Sequence, residues 1–76
     1  MYLFQLKKGQ KCRIDKILEN GDIKRRLLDI GLVENTLVEC VETSPLGDPK
    51  AFLIRDAVIA LRQTDCKNIT IKDLII

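Results

Sequence analysis

The sequence predicts a mainly β fold, a small barrel of short strands with one short α-helix inserted. Three observations predict it. Short runs of apolar and β-branched residues recur along the chain, each bounded by turn residues. A single segment, Asp22 to Leu32, shows helical period and carries its own stop signal. Strands this short and regularly spaced fit a closed or nearly closed barrel, because closure removes unpaired edges.

The helix is the best-specified element. Ile23, Leu27 and Ile30 recur at i, i+4 and i+7 and form one narrow apolar face, with Leu28 off the stripe. Asp22 is expected at the N-cap and Gly31 at C′. That placement makes Leu27 and Leu32 the apolar pair that touches in a Schellman ending. Arg25 and Asp29 are i,i+4 neighbours on the outer face, in the weaker charge order. A helix this short does not hold in water alone, so it must dock on the strands.

In chain order, Met1 to Leu6 alternates weakly and ends in the turn Lys7-Lys8-Gly9-Gln10. Lys11 to Leu18 reads as a strand, and Asn20-Gly21 turns it into the helix. After the helix, Asn35 is the residue best able to take a positive φ. Thr36 to Thr43 is a strand with Leu37 and Val41 on one face and Val38 and Cys40 on the other, which predicts cover from both sides. Ser44 to Pro49, SPLGDP, is a loop of low conformational freedom. Lys50 to Arg55 returns, Asp56 tolerates a left-handed corner, and Ala57 to Leu61 is a further strand. Leu61 to Lys67 reads as a single helical turn; Ile69 and Ile71 then alternate towards Asp73 and the apolar tail Leu74-Ile75-Ile76. Five or six short strands and one helix give an SH3-like barrel. An OB-type barrel is the alternative and is usually longer.

The 76 residues are expected to form one domain, 1–76, with marginal stability because so small a chain buries a limited share of its surface. Thirteen basic and eleven acidic residues, interspersed, leave a net charge of +2 and no field to hold a polyanion, so nucleic acid is not expected as a partner. Cys12, Cys40 and Cys66 match no zinc spacing and leave no complete disulfide framework, so they read as buried free thiols in a reducing, cytoplasmic setting. The N-terminus carries no secretory pattern and no apolar run approaches membrane-spanning length; a soluble chain without direct membrane insertion is expected.

Catalytic chemistry finds few materials. The sequence contains no histidine, which removes the commonest general base and metal ligand. Isolated glycines make no phosphate cradle. Asp48, Asp56, Asp65 and Asp73 stand singly at predicted turns and ends, where turn and capping roles explain them. The pairs Lys7-Lys8 and Arg25-Arg26 read as solvated faces. Aromatics are limited to Tyr2, Phe4 and Phe52, too few for RNA stacking or a proline-motif groove. The feature that packing explains least is Leu46, an apolar residue between Pro45 and Gly47 at a loop tip. It cannot easily fold back into its own core, and a preorganised apolar tip makes a contact point for a partner. The residues therefore read as a binding module without catalytic, cofactor or metal site.

Leu6, Gly9, Ile17, RRLLDIGL from Arg25 to Leu32, the strand Thr36 to Val41, SPLGDP from Ser44 to Pro49, IALR from Ile59 to Arg62, and Ile69 together resemble the FeoA family of bacterial ferrous iron uptake. The resemblance covers nearly the whole chain. Asn35 and Asp56 stand where the family usually has glycine, and Cys66 where alanine is usual. The resemblance implies an SH3-like fold and a non-enzymatic cytoplasmic accessory of the FeoB transporter, recruited to the inner membrane face by the cytosolic GTPase region of FeoB. It implies no iron site or cofactor. The family's distinctive loop falls on Pro45, Leu46, Gly47, Asp48 and Pro49, the expected partner-binding residues, and its helix on Arg25 to Gly31. The fold is also similar to the C-terminal domain of DtxR-type repressors, but no helix-turn-helix precedes it in this sequence. A competing expectation is a direct Fe²⁺-binding carrier or metal-responsive domain using the three thiols, although soft ligands without histidine suit ferrous iron poorly unless they converge.

Overall fold

The computed structural model describes residues 1–75. The strands β1 (Lys11–Ile17), β2 (Leu37–Thr43), β3 (Lys50–Ile54), β4 (Ala57–Leu61) and β5 (Ile69–Ile75) form. They build one antiparallel sheet in the order β4-β3-β2-β1-β5. Helix α1 (Gly21–Asp29) is inserted between β1 and β2, and α2 (Gln63–Cys66) is the predicted single turn between β4 and β5.

Register carries the core across the sheet. Cys12 pairs with Val38 and Val38 with Ile54; Cys40 pairs with Phe52. All five side chains are fully buried on one face, together with Ile14 and Ile69. Register slips in β1 against β5 and at Cys40/Glu42 in β2 bend the sheet, since a bulge kinks its strand and increases local twist. The curled face is completed from outside the sheet by Leu3, Leu6, Leu27, Leu32 and Cys66.

The architecture is the mainly β one expected, with corrections. Closure is incomplete: β4 and β5 are the two ends of the sheet. Its remaining opening is filled by side chains of the helices and the N-terminal turn rather than by strand pairing. Because those elements contribute to the same core, the outer face of β2 is not covered as predicted; Leu37 is 46% exposed and Val41 half-buried. Met1 to Leu6 does not continue as a strand. Tyr2 makes a single bridge to Thr70, and Leu3–Gln5 turns into a 3₁₀ helix held by the Tyr2 N–H donating to Gln5 Oε1 at 2.7 Å. Of the predicted tail, Leu74 and Ile75 are exposed and Ile76 lies outside the described residues.

Lys50 anchors that N-terminal turn. Its ammonium donates to the carbonyls of Phe4 at 2.7 Å and Leu6 at 3.0 Å and lies 4.9 Å from the centre of the Phe4 ring. These charge-assisted bonds tie the start of the chain to β3.

Helix α1 ends as its sequence specifies. The Leu32 N–H donates to Leu27 O and the Gly31 N–H to Leu28 O, each at 3.0 Å, the paired bonds of a Schellman motif. Gly31 has φ +91°, and a Cβ there would stand 2.6 Å from Cδ of Arg55. The start of the helix differs from expectation. Asn20 is the cap residue, without a side-chain cap bond, and Asp22 sits in the first turn. Gly21 at φ +62° makes the entry turn, so Asp22 contributes charge near the positive helix end instead of a cap. Arg25 and Asp29 make no ion pair; among the described residues the one ion pair is Lys8–Glu42 at 3.5 Å.

All three cysteines are free and buried. Burial pushes the Cys12 thiol from 9.0 up to about 11. Burial, reinforced by Asp65 and Asp48 and opposed by Lys50, pushes Cys66 up to about 12.

Replacing Gly31 by Val is expected to destabilise the protein by about 1–2 kcal/mol or more, because a β-branched residue is strained at a left-handed position. Thermal unfolding checks it, with a midpoint about 4–8 °C lower per kcal/mol in a domain of this size. The raised thiols set a second expectation. Above pH 9 the unfolded chain releases thiol protons that the folded chain retains, so their contribution is fully present below pH 9 and lost as pH rises through about 11 to 12. Urea midpoints measured across this range should fall with pH, and less steeply in Cys66→Ala than in the parent.

Candidate protein-docking loop

The loop Ser44–Pro49 joins β2 to β3 across the Thr43–Lys50 pair. Pro45 presets one φ of a tight turn, closed by the Gly47 N–H donating to Ser44 O at 2.8 Å, and Gly47 takes φ +86°. Ser44 then closes the neck. Its N–H and its Oγ both donate to Pro49 O, at 3.2 and 3.0 Å. Asp48 Oδ1 accepts from the Gln63 N–H at 3.3 Å and ties the loop to α2.

The result is a braced tip. Leu46 at its apex is 95% exposed, the most exposed of the large apolar side chains among the described residues. Pro45, Asp48 and Pro49 are exposed beside it, and Gly47 is half-buried. The predicted loop residues therefore lie together. Leu27 and Leu32, read from the sequence as structural, lie in the core, with Gly31 between helix and strand.

Surface depressions lie beside the helix and on the outer sheet face. A groove of about 150 Å³ between α1 and β4 is lined by Ile23, Leu27, Ile30 and Ile59 and reaches Asp65 of α2. Thus α2 meets the loop through Gln63 and the groove through Asp65. A wider cleft of about 540 Å³ on the outer sheet face is lined by apolar Val33, Leu37 and Leu53 and by charged Lys11, Glu34 and Arg55. Sequence reasoning missed it. Its one signal was the second apolar face of Thr36 to Thr43, interpreted there as interior.

Chemically, these surfaces are suited to contact. Among the described residues, no three histidine, cysteine or acidic side chains gather as a metal site, and no buried side-chain nitrogen or oxygen lacks a partner. The thiols are engaged locally: Cys66 Sγ donates to Arg62 O at 3.3 Å, and Cys40 Sγ lies 3.8 Å from Glu42 O. Raised Cys12 and Cys66 stay protonated near neutrality, the opposite of what a thiolate ligand needs. No helix among the described residues is long and apolar enough to cross a membrane.

The chain is 29% identical over 72 residues to the Fe(2+) transport protein A/Fe(2+) transporter FeoB fusion protein of Porphyromonas gingivalis, covering 95% of the chain and 8% of that relative. The solution structure of iron(II) transport protein A from Clostridium thermocellum superposes with a TM-score of 0.90 at 30% identity, over 95% of this chain and 44% of that one. FeoA of Stenotrophomonas maltophilia, a prokaryotic SH3 domain protein solved in complex with zinc, matches with a TM-score of 0.80 at 26% identity, over 95% and 89%. The chain thus spans less than half the length of the first two of these relatives and has the SH3-like fold of the third. The FeoA domain model matches residues 1–73, and the chain belongs to the FeoA domain family.

Proposed function

We propose that this chain is a non-enzymatic accessory protein of ferrous iron uptake that binds the cytosolic GTPase region of the FeoB transporter through Pro45–Pro49. Leu46 carries the reading. An apolar side chain 95% exposed on a loop braced at neck and flank is presented at little further ordering cost. The P. gingivalis relative supports the choice of partner, because a fusion holds its two parts at high effective concentration. The groove of Ile23, Leu27, Ile30 and Ile59, joined to the loop through α2, supplies an adjoining apolar strip. In this reading the protein acts in the cytoplasm at the inner membrane face. It changes transport or nucleotide turnover by differential contact with the states of FeoB, without chemistry of its own.

The test is an NMR titration of the labelled protein with the soluble GTPase domain of FeoB from the same organism, in GTP-analogue and GDP states. Shifts should concentrate at Leu46, Gly47 and Asp48. Burying a leucine contributes about 1.5–3 kcal/mol, so Leu46→Asp should weaken binding at least roughly tenfold while leaving the amide spectrum of the core unchanged. Unaltered affinity in that variant removes the loop from the interface.

A further inference from the structure

The two ends of the open sheet are treated differently. The outer side of β5 is occupied: Tyr2 bridges Thr70, and the Ile71 N–H donates to Met1 O at 3.0 Å. Farther along, Lys72 and Asp73 bring charge, and Asp73 at φ +53° breaks the regular strand. These are the usual devices that keep an edge from pairing. β4 has none of them. Ala57-Val58-Ile59-Ala60-Leu61 contains no charge, no proline and no irregular φ, and Val58 is 64% exposed.

Backbone parity identifies which groups that edge offers. Arg55 and Asp56 have φ +49° and +69°, so β3 and β4 are joined by a two-residue type I′ turn whose closing pair is Ile54–Ala57. In an antiparallel ladder, bonded and non-bonded pairs alternate from the closing pair onward. Ala57, Ile59 and Leu61 therefore spend their N–H and C=O on β3, opposite Ile54, Phe52 and Lys50. The N–H and C=O of Val58 and Ala60 point away from the sheet.

We propose that β4 is a self-association edge, pairing antiparallel with β4 of a second copy about a two-fold axis at Ile59. In this register Val58 of each copy forms a bonded pair with Ala60 of the other, and all four outward N–H groups find carbonyls. Ile59 meets Ile59 as the central non-bonded pair, the kind in which side chains approach more closely. The same symmetry sets Asp56 of each copy beside Arg62 of the other. Both are exposed, and neither is ion-paired among the described residues. The edge is thus complementary to itself in hydrogen bonding, apolar contact and charge, as a two-fold interface requires. A second copy fits it better than an arbitrary strand because the acidic and basic ends are placed to neutralise one another.

Hydrogen exchange of the full chain, followed by NMR from micromolar to millimolar concentration, reads the register directly. Exchange at Val58 and Ala60 should slow at least about tenfold at high concentration, while Ala57, Ile59 and Leu61 keep their concentration-independent protection. Sedimentation should show a monomer–dimer equilibrium over the same range. Val58→Pro removes an outward donor without touching the β3 ladder and should hold the protein monomeric with its core spectrum intact. Arg62→Glu opposes Asp56 with like charge and should raise the dissociation constant about tenfold at low salt, a difference that added salt shrinks. A chain that remains monomeric at millimolar concentration with Val58 and Ala60 exchanging freely overturns the proposal and leaves the edge to a strand of another protein. Association that survives both substitutions overturns it as well.

Discussion

Burial of one face of a curled sheet is the constraint from which the remaining structure follows. Phe52 lies between Cys40 on β2 and Ile59 on β4, while Val38 joins Cys12 on β1 to Ile54 on β3. Five strands present more apolar surface than their own closure covers. The chain meets that deficit with side chains borrowed from every other element: Leu27 and Leu32 around the helix ending, Leu3 and Leu6 from the N-terminal turn, and Cys66 from α2. Hence a helix too short to persist alone is stable in place, and its Schellman ending matters because it aims both Leu27 and Leu32 at the same core.

Lys50 shows how that arrangement is secured at its weakest seam. The N-terminal segment has little strand pairing of its own, so its carbonyls need other donors. A half-buried ammonium reaching Phe4 O and Leu6 O supplies them and covers the Phe4 ring. The same cation opposes, without cancelling, the upward push that burial and two aspartates give Cys66. The core thiols consequently read as apolar packing groups, which is the chemistry their scattered spacing in the sequence already suggested.

Features governed by local geometry were legible in the sequence. Gly31 at C′, Asn35 and Asp56 at positive φ, the single turn before Ile69 and the exposed Leu46 all follow from what one residue and its immediate neighbours permit. Features governed by distant partners were not. Nothing near Met1–Leu6 announces that Lys50 will take up its carbonyls, so the weak alternation did not reveal the 3₁₀ turn. The two apolar faces of β2 looked like double cover because sequence cannot show that the helices and N-terminal turn fill the same side. Closure failed for the related reason that it depends on β4 and β5 meeting. The cap position falls on Asn20 rather than Asp22 because Gly21 takes the left-handed entry turn, a choice the residue pattern also allows.

A core that engages every element has consequences for where such a protein can act. Removing side chains from this interior to build a pocket would take away part of an already small apolar burial, and single domains of this size have little stability to lose. In the proposed reading recognition is therefore displaced to the periphery, where bracing must come from the backbone. The Ser44–Pro49 loop achieves it with two prolines, a closed neck and a bond to α2. Through α2 the tip is mechanically continuous with the groove beside α1, and through the Lys50–Leu61 pair with the free edge of β4. Under the proposed function, a partner that grips Leu46 engages a small hydrogen-bonded frame rather than an unbraced hairpin, which suits a module that distinguishes two states of a partner while undergoing little change itself.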